Sequence, residues 1–243
     1  MPETTHTMVI LLTGSSRGIG AALASSFTKS GHTVLLVSRN RTALQQVSEK
    51  CNKEAGKMLA HPIPFDLIDL PDLEKEFVSL IREQTQTIDA LFNNAGQLIR
   101  KPFHEVPLQD ARNLFEVNFF VPAQLIRICK PFMEHSDLKH VVNVTSMAGF
   151  QGSKKFSGLS YYSASKAALG TLTESLSEEY MEEGITLNAL SIGSVQTEML
   201  AEAFPGFKAP LEPSQMAEFM KWFTLEGANY FNGKILPVSL ATP

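Results

Sequence analysis

Residues 8–20 read M-V-I-L-L-T-G-S-S-R-G-I-G. An apolar run of strand length, Met8 to Leu12, leads straight into glycines at 14, 18 and 20. An apolar-periodic segment, 19–30, follows. Glycines at the end of a strand let the backbone turn tightly and approach an anion closely. The helix behind them offers free N–H groups and the positive end of its dipole. A glycine triplet alone is a weak signal, because glycines also mark ordinary turns; its place between a strand and a helix makes it informative.

Six further apolar runs follow, at 33–37, 60–65, 90–92, 140–144, 186–191 and 234–238. Most are continuous rather than alternating, as in strands covered on both faces. Helix-like segments lie between them at 40–55, 71–86, 107–130, 161–183 and 213–226. Alternating strand and helix predicts an α/β protein with a doubly wound parallel sheet, three layers deep. No linker divides the chain, so one domain over 1–243 is expected. Pro131 should end or kink the long helix near Lys130. The stretch 193–213, rich in Gly, Pro and Phe, reads as a loop or a small lid.

Composition narrows the function. The chain has 243 residues, 44% hydrophobic and 19% charged, with a formal net charge of −4. No Lys/Arg block suggests a nucleic-acid surface. No apolar run reaches membrane-spanning length, and Met8–Leu12 is too short for a signal sequence, so a cytoplasmic location is expected. Cys51 and Cys129 have no metal-like or C-x-x-C spacing, and no metal site is expected. Cys129 reads as a small buried residue rather than a reactive thiol.

The second strand ends near Val37 and is followed by Ser38-Arg39-Asn40-Arg41. In a dinucleotide site for NAD, an acid about 20 residues beyond the glycines binds the ribose 2′-hydroxyl. No acid stands here. Arg39, with Arg17 inside the glycine loop, would suit a 2′-phosphate instead, because Arg can bind it bidentately. The alternative is that both are solvated surface arginines. NADP(H) is therefore preferred over NAD(H).

Further motifs coincide in order: Asp66-Leu67, N-N-A-G at 93–96, Asn118 in V-N-F, N-V-T-S at 143–146 and Y-S-A-S-K at 162–166. With the glycine loop, this set resembles the short-chain dehydrogenase/reductase family, in its single-domain type, over essentially the whole chain. The resemblance implies a Rossmann-like fold. It implies that Thr13, Gly14, Ser15, Ser16, Gly18, Ile19 and Gly20 surround the pyrophosphate. Arg17, Ser38 and Arg39 would select NADP(H), and Asp66 and Leu67 would meet the adenine. Asn93, Ala95 and Gly96 would shape the wall near the second ribose, and Val195 and Thr197 the carboxamide contacts. Asn118, Ser146, Tyr162 and Lys166 match the family's catalytic tetrad, with Tyr162 and Lys166 also touching the cofactor. The family also implies a homodimer or homotetramer, with the segments 107–130 and 161–183 pairing across a two-fold axis.

The chemistry of that tetrad stands on its own physics. Carbonyl reduction adds hydride to carbon while a proton reaches oxygen, and a donor works best with a pKa near the working pH. Tyrosine starts near 10, and an adjacent ammonium would lower that value. Ser146 can hydrogen-bond the oxygen as its charge grows. Each residue also has a plain role: Ser146 a cap, Asn118 a backbone partner, Lys166 a surface lysine. On a helix, Tyr162 and Lys166 are four apart and share a face, while Tyr161 is turned away by about 100°. Tyr162 is therefore the expected proton donor and Tyr161 a packing or wall residue. The expected activity is reversible, NADP(H)-dependent reduction of an aldehyde or ketone, a small-molecule substrate. The alternatives are 3-oxoacyl thioester reduction or a silent NADP(H)-sensing protein.

Three departures from the family pattern stand out. The segment between Ser146 and Tyr162 is a few residues longer than usual and carries Phe150 and Phe156. Ile192 stands where proline is usual. The segment after Thr197, with Met199, Leu200, Phe204 and Phe207, is short for a lid.

Overall fold

The computed structural model describes residues 7–240. Seven strands form one parallel sheet: β1 (Val9–Thr13), β2 (Thr33–Ser38), β3 (Ala60–Pro64), β4 (Ala90–Asn93), β5 (His140–Ser146), β6 (Thr186–Ile192) and β7 (Lys234–Val238). Their order across the sheet is β3-β2-β1-β4-β5-β6-β7. Every strand expected from the apolar runs is present.

Alternation along β1 shows why the runs are continuous. Ile10 and Leu12 belong to one buried cluster and Leu11 to another. The first cluster takes in residues of α1 (Gly18–Lys29), α2 (Arg41–Ala55) and α8 (Pro213–Glu226). The second takes in residues of α3 (Leu70–Arg82) and α5 (Val121–Met133). Residues along β1 thus face a helical layer on one side or the other. Cys129 is fully buried in the second cluster, and burial pushes its thiol up to about 12, which leaves it inert at neutral pH.

The long helix differs from expectation in two ways. It does not stop near Lys130, because α5 continues through Pro131 to Met133. Proline removes one backbone bond, but Ile128, Cys129, Phe132 and Met133 are buried around it, and that burial outweighs the loss. The break comes earlier. α4 (Leu108–Phe115) passes into a π-turn over Glu116–Phe120 before α5 begins. Pro122 has no N–H for the carbonyl of Asn118 four residues back, so the ordinary α pattern cannot be completed there.

Two lobes of the sheet meet at β1. The chain runs outward from β1 through β2 to β3, then crosses to β4 on the other side of β1. The carboxyl ends of β1 and β4 therefore diverge into opposite crossovers, which opens a crevice above the sheet. Ile192 completes β6, in register with Ser146 on one side and Val238 on the other. The chain keeps its strand geometry there without the proline.

Candidate active site

The glycine loop is built by close approach. Gly14 sits at φ 66° with the backbone of Ala95 so near that a Cβ would lie 2.8 Å from its Cα. A Cβ on Gly20 would lie 2.2 Å from the carbonyl oxygen of Gly14. No side chain fits at either place, so α1 begins directly beneath the turn with its N–H groups uncovered. Gly14 and Ser15 both donate backbone N–H to Val37 O, at 2.9 and 3.4 Å, which hooks the loop to β2.

β4 locks the loop from the other side. Thr13 Oγ1 accepts the N–H groups of Asn94 and Ala95, each at 3.0 Å. Asn94 Nδ2 donates to the carbonyls of Thr13 at 3.0 Å and Gly14 at 3.2 Å. Asn94 was not singled out from the sequence, although it lies inside the N-N-A-G motif. Its neighbour Asn93 points into the sheet and donates to Asn143 Oδ1 at 2.8 Å.

The residues expected at the adenosine end lie beside the glycine loop and after β3. Ser38 Oγ donates to Ser16 Oγ at 2.9 Å, joining the end of β2 to the glycine loop. Arg39 is exposed beside them. Arg17 does not converge on Arg39 in this structure: its Nη1 lies 3.7 Å from Glu202. Asp66 accepts the N–H of Ile68 at 3.2 Å and caps a short 3₁₀ turn, and Leu67 is buried.

The four tetrad positions come together at the other end of the crevice. Ser146 ends β5, and its Oγ accepts the N–H of Ala148 at 3.1 Å. Its side chain also acts on the Tyr162 phenol, lowering its pKa. Tyr162 and Lys166 lie on α6 (Ser160–Glu179), one turn apart. Lys166 is 4% exposed and donates Nζ to Val144 O at 2.9 Å. Asn118 is fully buried in the π-turn. Its Oδ1 accepts the N–H of Gln97 and its Nδ2 donates to the carbonyl of Gln97, both at 2.9 Å. Asn118 Nδ2 also donates to Ser165 Oγ at 3.0 Å, and Ser165 donates to the Tyr162 carbonyl at 2.8 Å. Gly96 adjoins both Asn118 and Lys166; a Cβ there would stand 3.3 Å from Asn118 Oδ1 and 3.3 Å from Lys166 Nζ. Tyr161 goes elsewhere: its ring stacks on Phe103 with centroids 5.2 Å apart.

The electrostatics differ from the simple expectation. Burial raises the Tyr162 phenol above the ordinary tyrosine range, and the Ser146 side chain opposes it. The Lys166 ammonium is directed at the β5 backbone. Burial in turn lowers Lys166 to about 8. A protonated phenol beside an ammonium poised near neutrality is an arrangement suited to moving one proton.

These residues lie in one family pattern. The model of the short chain dehydrogenases matches residues 8–206. The chain belongs to the short-chain dehydrogenase family. Its relatives include an uncharacterized oxidoreductase of Staphylococcus saprophyticus, 29% identical over 214 residues, covering 86% of this chain and 88% of the relative. Among solved structures, a short chain dehydrogenase of Shigella flexneri complexed with NADP is 26% identical, with TM-score 0.88, over 98% of this chain and 99% of the other. A second, from Escherichia coli and complexed with NADPH, is 26% identical with TM-score 0.86, over 98% of this chain and 99% of the other. The protein is thus an oxidoreductase with the family's parallel-sheet fold.

Around this short-chain dehydrogenase site lies a small lid. Thr197 Oγ1 accepts the N–H of Leu200 at 3.2 Å and caps α7 (Glu198–Ala203). Val195 forms a bridge with Leu211, which closes the base of the lid. Gly18 in the glycine loop faces Thr197; a Cβ there would stand 3.4 Å from Thr197 Cγ2. A cleft of about 480 Å³ flanks the tetrad rather than containing it, between residues 98–102, Ser157–Gly158 and α7. Among the described residues no helix is long and apolar enough to cross a membrane, and no cluster of metal-binding side chains is found.

Proposed function

We propose that the protein reduces an aldehyde or ketone with NADPH, and reversibly oxidises the corresponding secondary alcohol, with Tyr162 as proton donor and acceptor. The observation that carries this reading is Ser146 acting on the Tyr162 phenol beside a buried Lys166, on the same crevice as the glycine loop. The uncovered N–H groups at the start of α1 and the side-chain-free surface of Gly14 and Gly20 fit a pyrophosphate. When bound, the nicotinamide supplies the hydride. Everything else falls to the chain. Ser146 hydrogen-bonds the substrate oxygen, Tyr162 passes it a proton, and Lys166 keeps positive charge close as tyrosinate forms. Asn118 and Ser165 fix the start of α6 relative to Gln97, so the donor and the crevice wall keep their spacing.

Preference for the phosphorylated cofactor rests on Arg39 and Arg17 with no acid after β2, and on solved relatives that hold NADP and NADPH. The proposed assembly is a homodimer or homotetramer through α4, α5 and α6. Leu108 and Phe120, exposed at 62% and 48%, leave apolar area there for a second copy to cover. A monomer by light scattering at micromolar concentration overturns that part.

NADPH oxidation against a panel of aldehydes, cyclic and acyclic ketones and 3-oxoacyl thioesters tests the activity, with wild type and Tyr162→Phe in parallel. Turnover by wild type alone supports it. Tight NADPH binding without turnover of any carbonyl, or equal turnover by both proteins, overturns it.

A further inference from the structure

Three segments distant in sequence meet at one exposed arginine. Arg100, on the stretch after β4, donates Nη1 to the carbonyl of Ala203 at 3.0 Å, at the end of α7. Its guanidinium carbon lies 4.4 Å from the ring centroid of Phe204, the next residue. The same ring receives Phe156 edge-on at 6.4 Å, and Phe156 belongs to the extended segment between Ser146 and Tyr162. Two residues further, Gly158 sits at φ 84° so close that a Cβ would stand 3.2 Å from Arg100 Cγ. The backbones also join there, Lys101 donating N–H to Gly158 O at 3.1 Å.

We infer that Arg100 is a lid-positioning residue that sets substrate specificity, clipping α7 and Phe204 to the segments that border the cleft. The inference deepens the proposed activity and rests on that reading for its substrate arm. An arginine serves where a lysine does not, because its planar group can lie on a ring and donate from its edge at once. The clip fixes the mouth of the cleft, whose lining takes in Arg100, Gly158, Met199 and Ala203. The longer segment before α6 has a use in this arrangement: it carries Phe156 against the Phe204 ring.

Hydrogen exchange of residues 198–207 tests the clip without any substrate, in wild type, Arg100→Met and Arg100→Lys. Arg100→Met keeps the stem and removes both contacts, so exchange in 198–207 is expected to rise on the order of tenfold. Arg100→Lys restores the cation over the ring without the fork, and is expected to fall between. Equal exchange in wild type and Arg100→Met overturns the inference. For a carbonyl that the panel shows to be turned over, Arg100→Met is expected to raise KM about tenfold with kcat changed less than threefold, by the same loss of contacts. A fall in kcat at unchanged KM overturns the specificity role while the exchange result still reports the clip. Absence of any turnover removes the proposed activity alone.

Discussion

Lys166 gives its ammonium to the main-chain carbonyl of Val144 at 2.9 Å, so the carboxyl end of β5 holds the cation that stands one turn from Tyr162. The bond fixes where the charge is, and burial decides how readily it is lost.

Stability should therefore depend on pH through Lys166. Its folded value is lowered to about 8 from 10.5, so the unfolded chain binds more protons between those values. Stability then rises with pH across that window, and below it the protein carries a cost on the order of 3 kcal/mol for the buried charge. Lys166→Met removes the charge and leaves the Val144 carbonyl unpaired, an offset that does not vary with pH. Urea denaturation of both proteins from pH 7 to 10 should show the wild type gaining relative to the variant only above pH 8. A difference that stays flat over that range sinks the assignment.

The proposed mechanism gives Tyr162 and Tyr161 different roles. On that mechanism Tyr162→Phe removes the proton donor and should lower kcat by about 10²- to 10⁴-fold, the usual range for general acid catalysis. Tyr161 stacks on Phe103, and Tyr161→Phe keeps that ring, so activity should stay within a few-fold of wild type. Absorbance at 295 nm offers an independent check: the phenol signal lost in Tyr162→Phe should titrate above the ordinary tyrosine value, and higher still in Ser146→Ala, because Ser146 lowers it. Loss of activity in Tyr161→Phe with retention in Tyr162→Phe reverses the register of α6.

Most of the fold was readable because β strands buried on both faces leave continuous apolar runs, and most of the seven were found that way. The spacing of Tyr162 and Lys166 was readable for a similar reason, since a helix converts four residues of sequence into one face. Pro131 misled, because a proline is weighed against local burial that sequence does not display. The π-turn had its sign in Pro122, four residues after Asn118. Asn94 had its sign in a motif whose other members drew the attention. Arg100 had none: its partner Ala203 lies 103 residues away, and only folding brings them together.

Cofactor choice turns on which arginine is committed elsewhere. Arg39 is exposed beside Ser16 and Ser38, so Arg39→Ala should weaken NADPH about 10- to 100-fold, the value of a charged hydrogen bond, and leave NADH unchanged. Arg17 must leave Glu202 to reach a phosphate, and that exposed pair is weak. Glu202→Gln should therefore tighten NADPH by no more than a few-fold. Fluorescence titration with both cofactors reads all of these. Equal losses for NADH and NADPH in Arg39→Ala would remove the case for a 2′-phosphate site.

The junction of β1 and β4 should be the most sensitive point of the crevice to a small change. Thr13 is 1% exposed, and its Oγ1 accepts two backbone N–H groups, from Asn94 and Ala95. Thr13→Val has nearly the same shape and no acceptor, so the Ala95 N–H loses its partner and the Asn94 N–H keeps only Phe92 O, at 3.1 Å. An unsatisfied buried donor costs about 1–3 kcal/mol. Thr13→Val should thus lower stability by about 1–3 kcal/mol in urea and loosen the glycine loop, with NADPH affinity falling in step. Thr13→Ser keeps the acceptor and should recover most of both. Should Thr13→Val bind NADPH as wild type does while Thr13→Ser does not, the hydroxyl is not what joins β4 to the loop.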